Sequence, residues 1–466
     1  MDEKIKENCG LFGIYGHNEA ARLTFLGLYA LQHRGEESAG IASFDGNSLY
    51  SHKGMGLVSD VFDEEKFSKL RGHVAIGHVR YSTTGSTTLK NAQPVVVDYS
   101  RGVVAIGHNG NLVNGALLRT ELEARGSIFQ TTLDSEIIVH LLARSQDKNF
   151  EKALIYALKQ IEGAFSLVIL KGDQLIGVRD PHGLRPLCLG KLGNAYILSS
   201  ETCALDLIEA KFVREVEPGE VLFINKNGTR SIKPFGERKR LAHCIFEHIY
   251  FARPDSYIFG EYIHLVRQNL GRKLAKEYPV NADLIIPIPD SGTPAALGFS
   301  HQSKIPLEMG IIRNHYVGRT FIQPSQHIRD FNVKVKFNPI KGLLKGKRII
   351  VVDDSIVRGT TSRARLKNLL STGVKEVHMR ISCPPIRYPC FYGIDFPTRK
   401  ELIAATHSIE EIRKFLGVTS LGYLSLEGLL SSVSCPKDYC TACFTGDYPV
   451  PFGGEGDKYA TENKGY

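Results

Sequence analysis

Two patterns of hydrophobic and polar positions divide the chain. From residue 9 to about 235, short runs rich in Val, Ile and Phe are separated by turns of Gly, Asn and Asp. HVAIGHVRYS (73–82) and GVVAIGHNG (102–110) predict strands, and SLVIL-KGD-QLIGV (166–178) predicts a hairpin. Amphipathic spacing predicts helices near 19–32 and 134–145, which makes this stretch a layered α+β unit. From about 255 the order becomes strand, Gly-bearing loop, helix, strand. ADLIIPIP (282–289) runs into DSGTPAALG, and GKRIIVV (346–352) runs into DDSIVRGTTS. A helix with apolar Leu366, Leu369 and Leu370 follows and stops at Gly373, and VHMRIS (377–382) resumes a strand. Buried strands alternating with helices predict a mostly parallel sheet. After about 447 the composition turns to Gly, Asp, Lys and Thr and predicts a mobile tail.

At 466 residues the chain has room for two or three domains. With 42% apolar and 23% charged residues it has the profile of a globular protein, which excludes disorder of the whole chain. The net charge of +9 is spread without a basic block, so it suits an anionic small molecule as well as nucleic acid and decides neither. No run of 18 apolar residues predicts a membrane span, and MDEKIKEN at the start lacks the apolar region of a secretory signal. Nine cysteines, an odd number, point to a reducing cytoplasm rather than a disulfide framework.

Cys9 opens CGLFGIYG behind eight polar residues. On position alone it is a small apolar residue at a strand start. Were the chain cut before it, its thiol would gain a free α-amino group, with a pKa of about 7.7–8.0, as a neighbouring base. Other residues complete an amide-hydrolysing set for a substrate with both charged ends of an amino acid. Arg80 in HVRYST suits a carboxylate. Asn109 and the N–H of Gly110 in GHNGNL suit an oxyanion, and Asp134 in TTLDSE suits an ammonium group. CGLFGIYG, LQHRGEESAGI (31–41), GHVRYSTTG, GHNGNL and TLDSE together resemble the class II glutamine amidotransferases of the N-terminal-nucleophile type. The resemblance implies a four-layer αββα domain over 9–235, a propeptide 1–8, Cys9 as nucleophile, and Arg80, Asn109, Gly110 and Asp134 as the glutamine and oxyanion site.

RIIVVDDSIVRGTTS (348–362) is an apolar strand ending in two carboxylates, followed by a loop that enters a helix. Such a loop offers a phosphate backbone N–H groups and the hydroxyls of Ser355, Thr360, Thr361 and Ser362. Asp353 and Asp354 could hold ribose hydroxyls or Mg²⁺, or simply cap the helix. VVDDSIVRGTT resembles the 5-phosphoribosyl-1-pyrophosphate (PRPP) motif of type I phosphoribosyltransferases. That resemblance implies ribose hydroxyls and Mg²⁺ on Asp353 and Asp354, with Ser291 as a further Mg²⁺ contact. It puts the 5′-phosphate on Ser355, Arg358, Gly359, Thr360 and Thr361, and pyrophosphate on Asp290, Ser291, Gly292 and Thr293. RTFIQPSQHIRD (319–330) looks like that family's closing loop, which would bring Arg319, Gln326, Arg329 and the following Lys336 to phosphate. A solvated charged loop is the plain alternative.

Cys440 and Cys443 form a C-x₂-C pair, and Cys244 and Cys390 are plausible further ligands. Spacing leaves zinc, an iron–sulphur centre, a redox pair and merely buried thiols all open, with Cys383 and Cys435 also nearby. HCIFEHIYFARPDS and CTACFTGDYP resemble the iron–sulphur form of the glutamine PRPP amidotransferases, a family also called amidophosphoribosyltransferases. That match implies a [4Fe–4S] cluster on Cys244, Cys390, Cys440 and Cys443, leaving Cys188 and Cys203 as core residues. It implies a phosphoribosyltransferase domain over 236–446 and a tail over 447–466. The implied reaction turns glutamine, PRPP and water into 5-phosphoribosylamine, pyrophosphate and glutamate at the first committed step of purine synthesis. A cytoplasmic homotetramer inhibited by purine nucleotides, with no nucleic-acid or membrane partner, is implied as well. A sugar or asparagine amidotransferase would need no PRPP loop, and a nucleotide-sensing regulator would need no Cys9 constellation.

Overall fold

The computed structural model describes residues 9–81, 88–236, 239–314, 337–396 and 398–451. The sequence opens this part on GLFGIY, the strand Gly10–Tyr15, which is buried along its whole length. It lies between Val74–Arg80 and Ala195–Ser199 in a seven-stranded antiparallel sheet, with Gly10 opposite Val79 and Tyr15 opposite Val74. A second, six-stranded sheet holds Val104–Leu112, Gly163–Lys171 and Leu175–Arg179 side by side. The predicted hairpin is there, with Leu170 opposite Leu175.

The alternation of apolar positions explains how the sheets stack. Leu11, Ile76, Ala105, Val168, Leu170 and Leu198 meet in one cluster between them. Phe12 and Ile14 point the other way, under the helix Ala20–Ala30. Ile106 and Leu167 lie under the helices Ser135–Arg144 and Phe150–Leu158. Helix, sheet, sheet, helix is the four-layer order.

The second half is built on four parallel strands in the order Leu284–Pro287, Arg348–Asp353, Glu376–Ile381, Ser420–Tyr423. Helices Ile263–Glu277, Thr293–Ser303 and Thr360–Leu370 cover it, and their apolar sides share one core with the strands. Leu366 and Leu369 are in that core, whereas Leu370 is 38% exposed because the helical turn carries it past the buried stripe. The first residues of the predicted mobile tail are packed. The Tyr448 hydroxyl donates to Pro389 O at 2.7 Å, and the Tyr392 hydroxyl donates to Val450 O at 2.8 Å. Residues 1–8, the loop positions Arg319, Gln326, Arg329 and Lys336, and residues 452–466 lie outside the described residues. Among the described residues no helix is long and apolar enough to cross a membrane.

Candidate active sites

Cys9 immediately precedes the buried strand Gly10–Tyr15 and is 7% exposed. Its thiol donates to Tyr81 O at 3.7 Å. Burial pushes that thiol up, the positive charge of Arg80 opposes this, and Glu37 and Asp134 reinforce it. The same residues therefore surround the sulphur. Arg80 ends its strand fully buried, with Glu37 at 3.7 Å. Asp134 stands just ahead of the helix Ser135–Arg144 and is fixed from two sides: Leu112 N–H donates to Oδ2 at 3.0 Å, and His108 Nδ1 lies 3.3 Å from Oδ1. His108 Nε2 faces Ala164 O at 3.3 Å, so both ring nitrogens have acceptors. Burial alone would lower the His108 pKa, but Asp134 raises it above the ordinary value; burial would raise Asp134, but His108 holds it below.

Asn109 and Gly110 follow on the strand Val104–Leu112. The Asn109 amide is fully buried and neither of its polar atoms has a partner, an arrangement that a bound ligand would complete. Gly110 has φ +147° and passes so close to the neighbouring strand that a Cβ would sit 1.9 Å from Ala164 O. No other residue fits there.

At the other site, Asp353 closes the central strand and Asp354 opens the loop. The helix begins only at Thr360, with Gly359 as its N-terminal cap at φ +79°, so the aspartates do not cap it. An open cleft of about 520 Å³ gathers Ser291, Asp353, Asp354, Ser355, Arg358, Gly359 and Thr361, joined by Tyr250, Ser362 and Arg365. Asp353 is pushed up to about 8 by burial and by the charge of Asp354, and among the described residues Arg365 stands 3.8 Å from it. Ser355 donates its hydroxyl to Asp354. Asp290, Gly292, Thr293 and Thr360 are not among the residues that line this cleft. Asp290 is exposed and paired with Arg313, and Thr360 is exposed. Gly292 packs under the acidic strand end, where a Cβ would meet Val352 O at 2.5 Å. Thr293 opens the helix that follows it. Arg358 lines the cleft but also holds Glu401 at 2.9 Å.

Cys244, Cys390 and the Cys440–Cys443 pair come together from three distant stretches. Cys244 pairs with Cys440 in a two-residue parallel bridge, and Cys443 sits in the short helix Ala442–Thr445. Burial raises the Cys443 thiol well above its usual range, and Cys440, Cys390 and Cys244 each raise it further, as mutual neighbours do. The Tyr392 N–H donates to Cys390 Sγ at 3.3 Å. All nine cysteines are free. Among the described residues no three His, Cys, Asp or Glu side chains are placed to hold a single metal ion. Cys188 and Cys203 are buried in the first half, as core residues.

Residues 78–207 match the glutamine amidotransferase domain family. Amidophosphoribosyltransferase from Methanothermobacter thermautotrophicus is 48% identical over 98% of this chain and 98% of its own length. That from Synechocystis is 52% identical over 96% of this chain and 92% of its own. The chain belongs to the amidophosphoribosyltransferase family. Among solved structures, glutamine PRPP amidotransferase from B. subtilis, complexed with ADP and GMP, superposes with a TM-score of 0.90 at 47% identity, covering 95% of this chain and 98% of that one. The reaction of this amidophosphoribosyltransferase is therefore the glutamine-dependent amination of PRPP, the first step of purine synthesis.

Several residues of the candidate sites escaped the sequence. Glu37 and His108 lay inside motifs already read, but their pairing with Arg80 and Asp134 needed the fold. Arg365 is one turn into a helix that reads as ordinary, and Tyr250 lies more than a hundred residues before the acidic pair whose cleft it lines. A motif of chemically active residues marks where a candidate site is; it does not name the side chains that steady it.

Proposed function

We propose that the two sites divide the reaction, with Cys9 releasing ammonia from glutamine and the Asp353–Asp354 cleft delivering it to PRPP. The observation that carries the assignment is the buried, unpartnered Asn109 amide beside Gly110, on the strand whose His108 holds Asp134 close to Cys9. Arg80 takes the carboxylate of glutamine and Asp134 its ammonium group. The Cys9 sulphur attacks the amide carbon, and the oxygen that gains the electron pair accepts from Asn109 Nδ2 and the Gly110 N–H. Burial holds the thiol protonated, so a base is required. Removal of residues 1–8 turns the Cys9 amide nitrogen into an amine that takes the thiol proton and passes it to the departing ammonia. Water then cleaves the thioester to glutamate.

In the cleft, backbone N–H groups and hydroxyls of Ser355 to Thr361 receive the 5′-phosphate at the helix N-terminus, and Ser291 lies on the pyrophosphate side. Ammonia adds to the anomeric carbon as pyrophosphate leaves. Asp353 and Asp354, two buried acids, fit Mg²⁺ with Ser291; among the described residues Arg365 stands 3.8 Å from Asp353. When bound, that ion would neutralise charge on the departing pyrophosphate. Arg319, Gln326, Arg329 and Lys336 are proposed to close over the substrate.

The four converging thiols fit a [4Fe–4S] cluster. A single tetrahedral ion would need sulphurs about 3.8 Å apart, given metal–sulphur bonds of about 2.3 Å. A cluster takes one thiolate per iron and accepts a wider set. The glutaminase part spans 9–235 and the phosphoribosyltransferase part 236–446. We place the protein in the cytoplasm as a homotetramer that binds Mg²⁺ and answers to purine nucleotides. The lack of any disulfide among the nine cysteines supports the compartment, and the structure of the relative complexed with ADP and GMP supports the regulation.

Two variants test the division. Cys9→Ala and a form that keeps residues 1–8 should each lose glutamine-dependent synthesis by about a thousandfold or more while keeping synthesis from ammonium and PRPP. Equal loss with both nitrogen sources would refute it.

A further inference from the structure

A set of buried charges joins the two halves without touching either substrate position. Arg34, Arg185, Glu201 and Glu247 are each at most 1% exposed. The Arg34 guanidinium donates from Nε to the carbonyl of Cys9 at 3.2 Å, and from Nη1 and Nη2 to the two carboxylate oxygens of Glu247 at 3.0 and 2.8 Å. Nη1 also holds Glu201. Glu247 Oε1 accepts in addition from Arg185 Nη1 at 3.4 Å, and Arg185 donates from Nε and Nη2 to Tyr392 O at 3.1 and 2.7 Å.

What lies at the far end of each arm matters. Tyr392 is followed by Gly393, which packs so tightly on Gly110 that a Cβ would come within 3.0 Å of the Gly110 carbonyl carbon. One arm from Glu247 therefore ends on the nucleophile's own carbonyl, and the other on the segment pressed against the oxyanion donor. The turn that carries it, Glu247–Phe251, also presents Tyr250 to the PRPP cleft. Burial alone would strip Arg34 of its proton affinity, and Glu247 and Glu201 more than restore it, so the guanidinium stays charged. Buried ion networks rarely stabilise a fold better than apolar packing does; what they provide is a fixed arrangement.

We propose that Glu247 is a positioning residue for glutamine hydrolysis, setting the Cys9 backbone through Arg34 and the segment over Gly110 through Arg185. This rests on the roles given above to Cys9 and Gly110. Glu247→Gln keeps the size but not the two charged acceptors. In the holoenzyme it should lower kcat for glutamine hydrolysis by about tenfold or more with KM within about threefold, a misplacement effect. Synthesis from ammonium and PRPP should stay within about twofold, and Glu247→Asp should recover part of kcat. Should Glu247→Gln fail to fold, Arg185→Lys, which keeps charge but loses the fork on Tyr392, must show the same split. Unchanged kcat, or equal loss with glutamine and ammonium, overturns the proposal. Absence of glutamine hydrolysis in the unaltered enzyme would instead overturn the role of Cys9.

Discussion

At the scale of single residues, the sites are defined by groups held in states that water would not permit. Asp353 is the clearest. Burial and the adjacent Asp354 push its carboxyl up to about 8, so in the folded protein it keeps its proton where an unfolded chain would have lost it. A folded pKa above the unfolded one contributes stability that is complete below the unfolded value, about 3.9, and is lost as pH rises through the folded value. Asp353→Asn imitates the protonated form at every pH. Scanning calorimetry without Mg²⁺ or PRPP should show its Tm exceeding that of the unaltered protein by an amount that grows from pH 5 to 8.5, reaching about 2–4 °C. On the role proposed for Asp353, synthesis from ammonium should fall by about a hundredfold or more, since the charge and one of the two acceptor oxygens offered to the ribose hydroxyls and Mg²⁺ are gone. A Tm difference independent of pH would show that the two acids do not oppose each other.

The scale of elements shows how much could be read in advance. Strand and helix positions followed from period alone, as at Val104–Leu112 and Ser135–Arg144, because each has one face in a layer of the core. Candidate nucleophile, oxyanion and acidic-loop positions could be named from the sequence too, since a thiol, an amide and two carboxylates advertise their chemistry. The residues that orient them could not. Arg34 sits in LQHRGEESAGI, and nothing there announces its partner; only the fold brings Glu247 to it across 213 positions. The partner of Asp290 was hidden for a related reason, because the strand Ile311–Arg313 supplies a cation that the loop sequence does not announce. The four cysteines illustrate the same dependence on assembly. A bridge between Cys244 and Cys440 and a single turn of helix at Cys443 convert scattered thiols into one group. Protein purified without air should carry about four iron and four sulphide per chain, and Cys443→Ser should lose them together. Zinc at one per chain would contradict the cluster.

Across the whole molecule, the two proposed half-reactions are assigned to differently built frames, a four-layer sandwich and a parallel sheet, that contact each other through Tyr392, Gly393 and Glu247. Asn111 Nδ2 donates to Phe391 O at 2.9 Å, a further tie between the glutamine strand and the segment beside Cys390. A chain joined in this way is expected to release ammonia when an acceptor waits for it. Ammonia in bulk water takes up a proton and ceases to be a nucleophile, so uncoupled release would waste glutamine. The most direct test follows glutamate and pyrophosphate together in one anaerobic sample containing glutamine and Mg²⁺, before and after PRPP is added. Glutamate release should rise on the addition, by about tenfold, and match pyrophosphate one for one. Glutamate release that ignores PRPP, or exceeds pyrophosphate throughout, would contradict the account of two coupled sites.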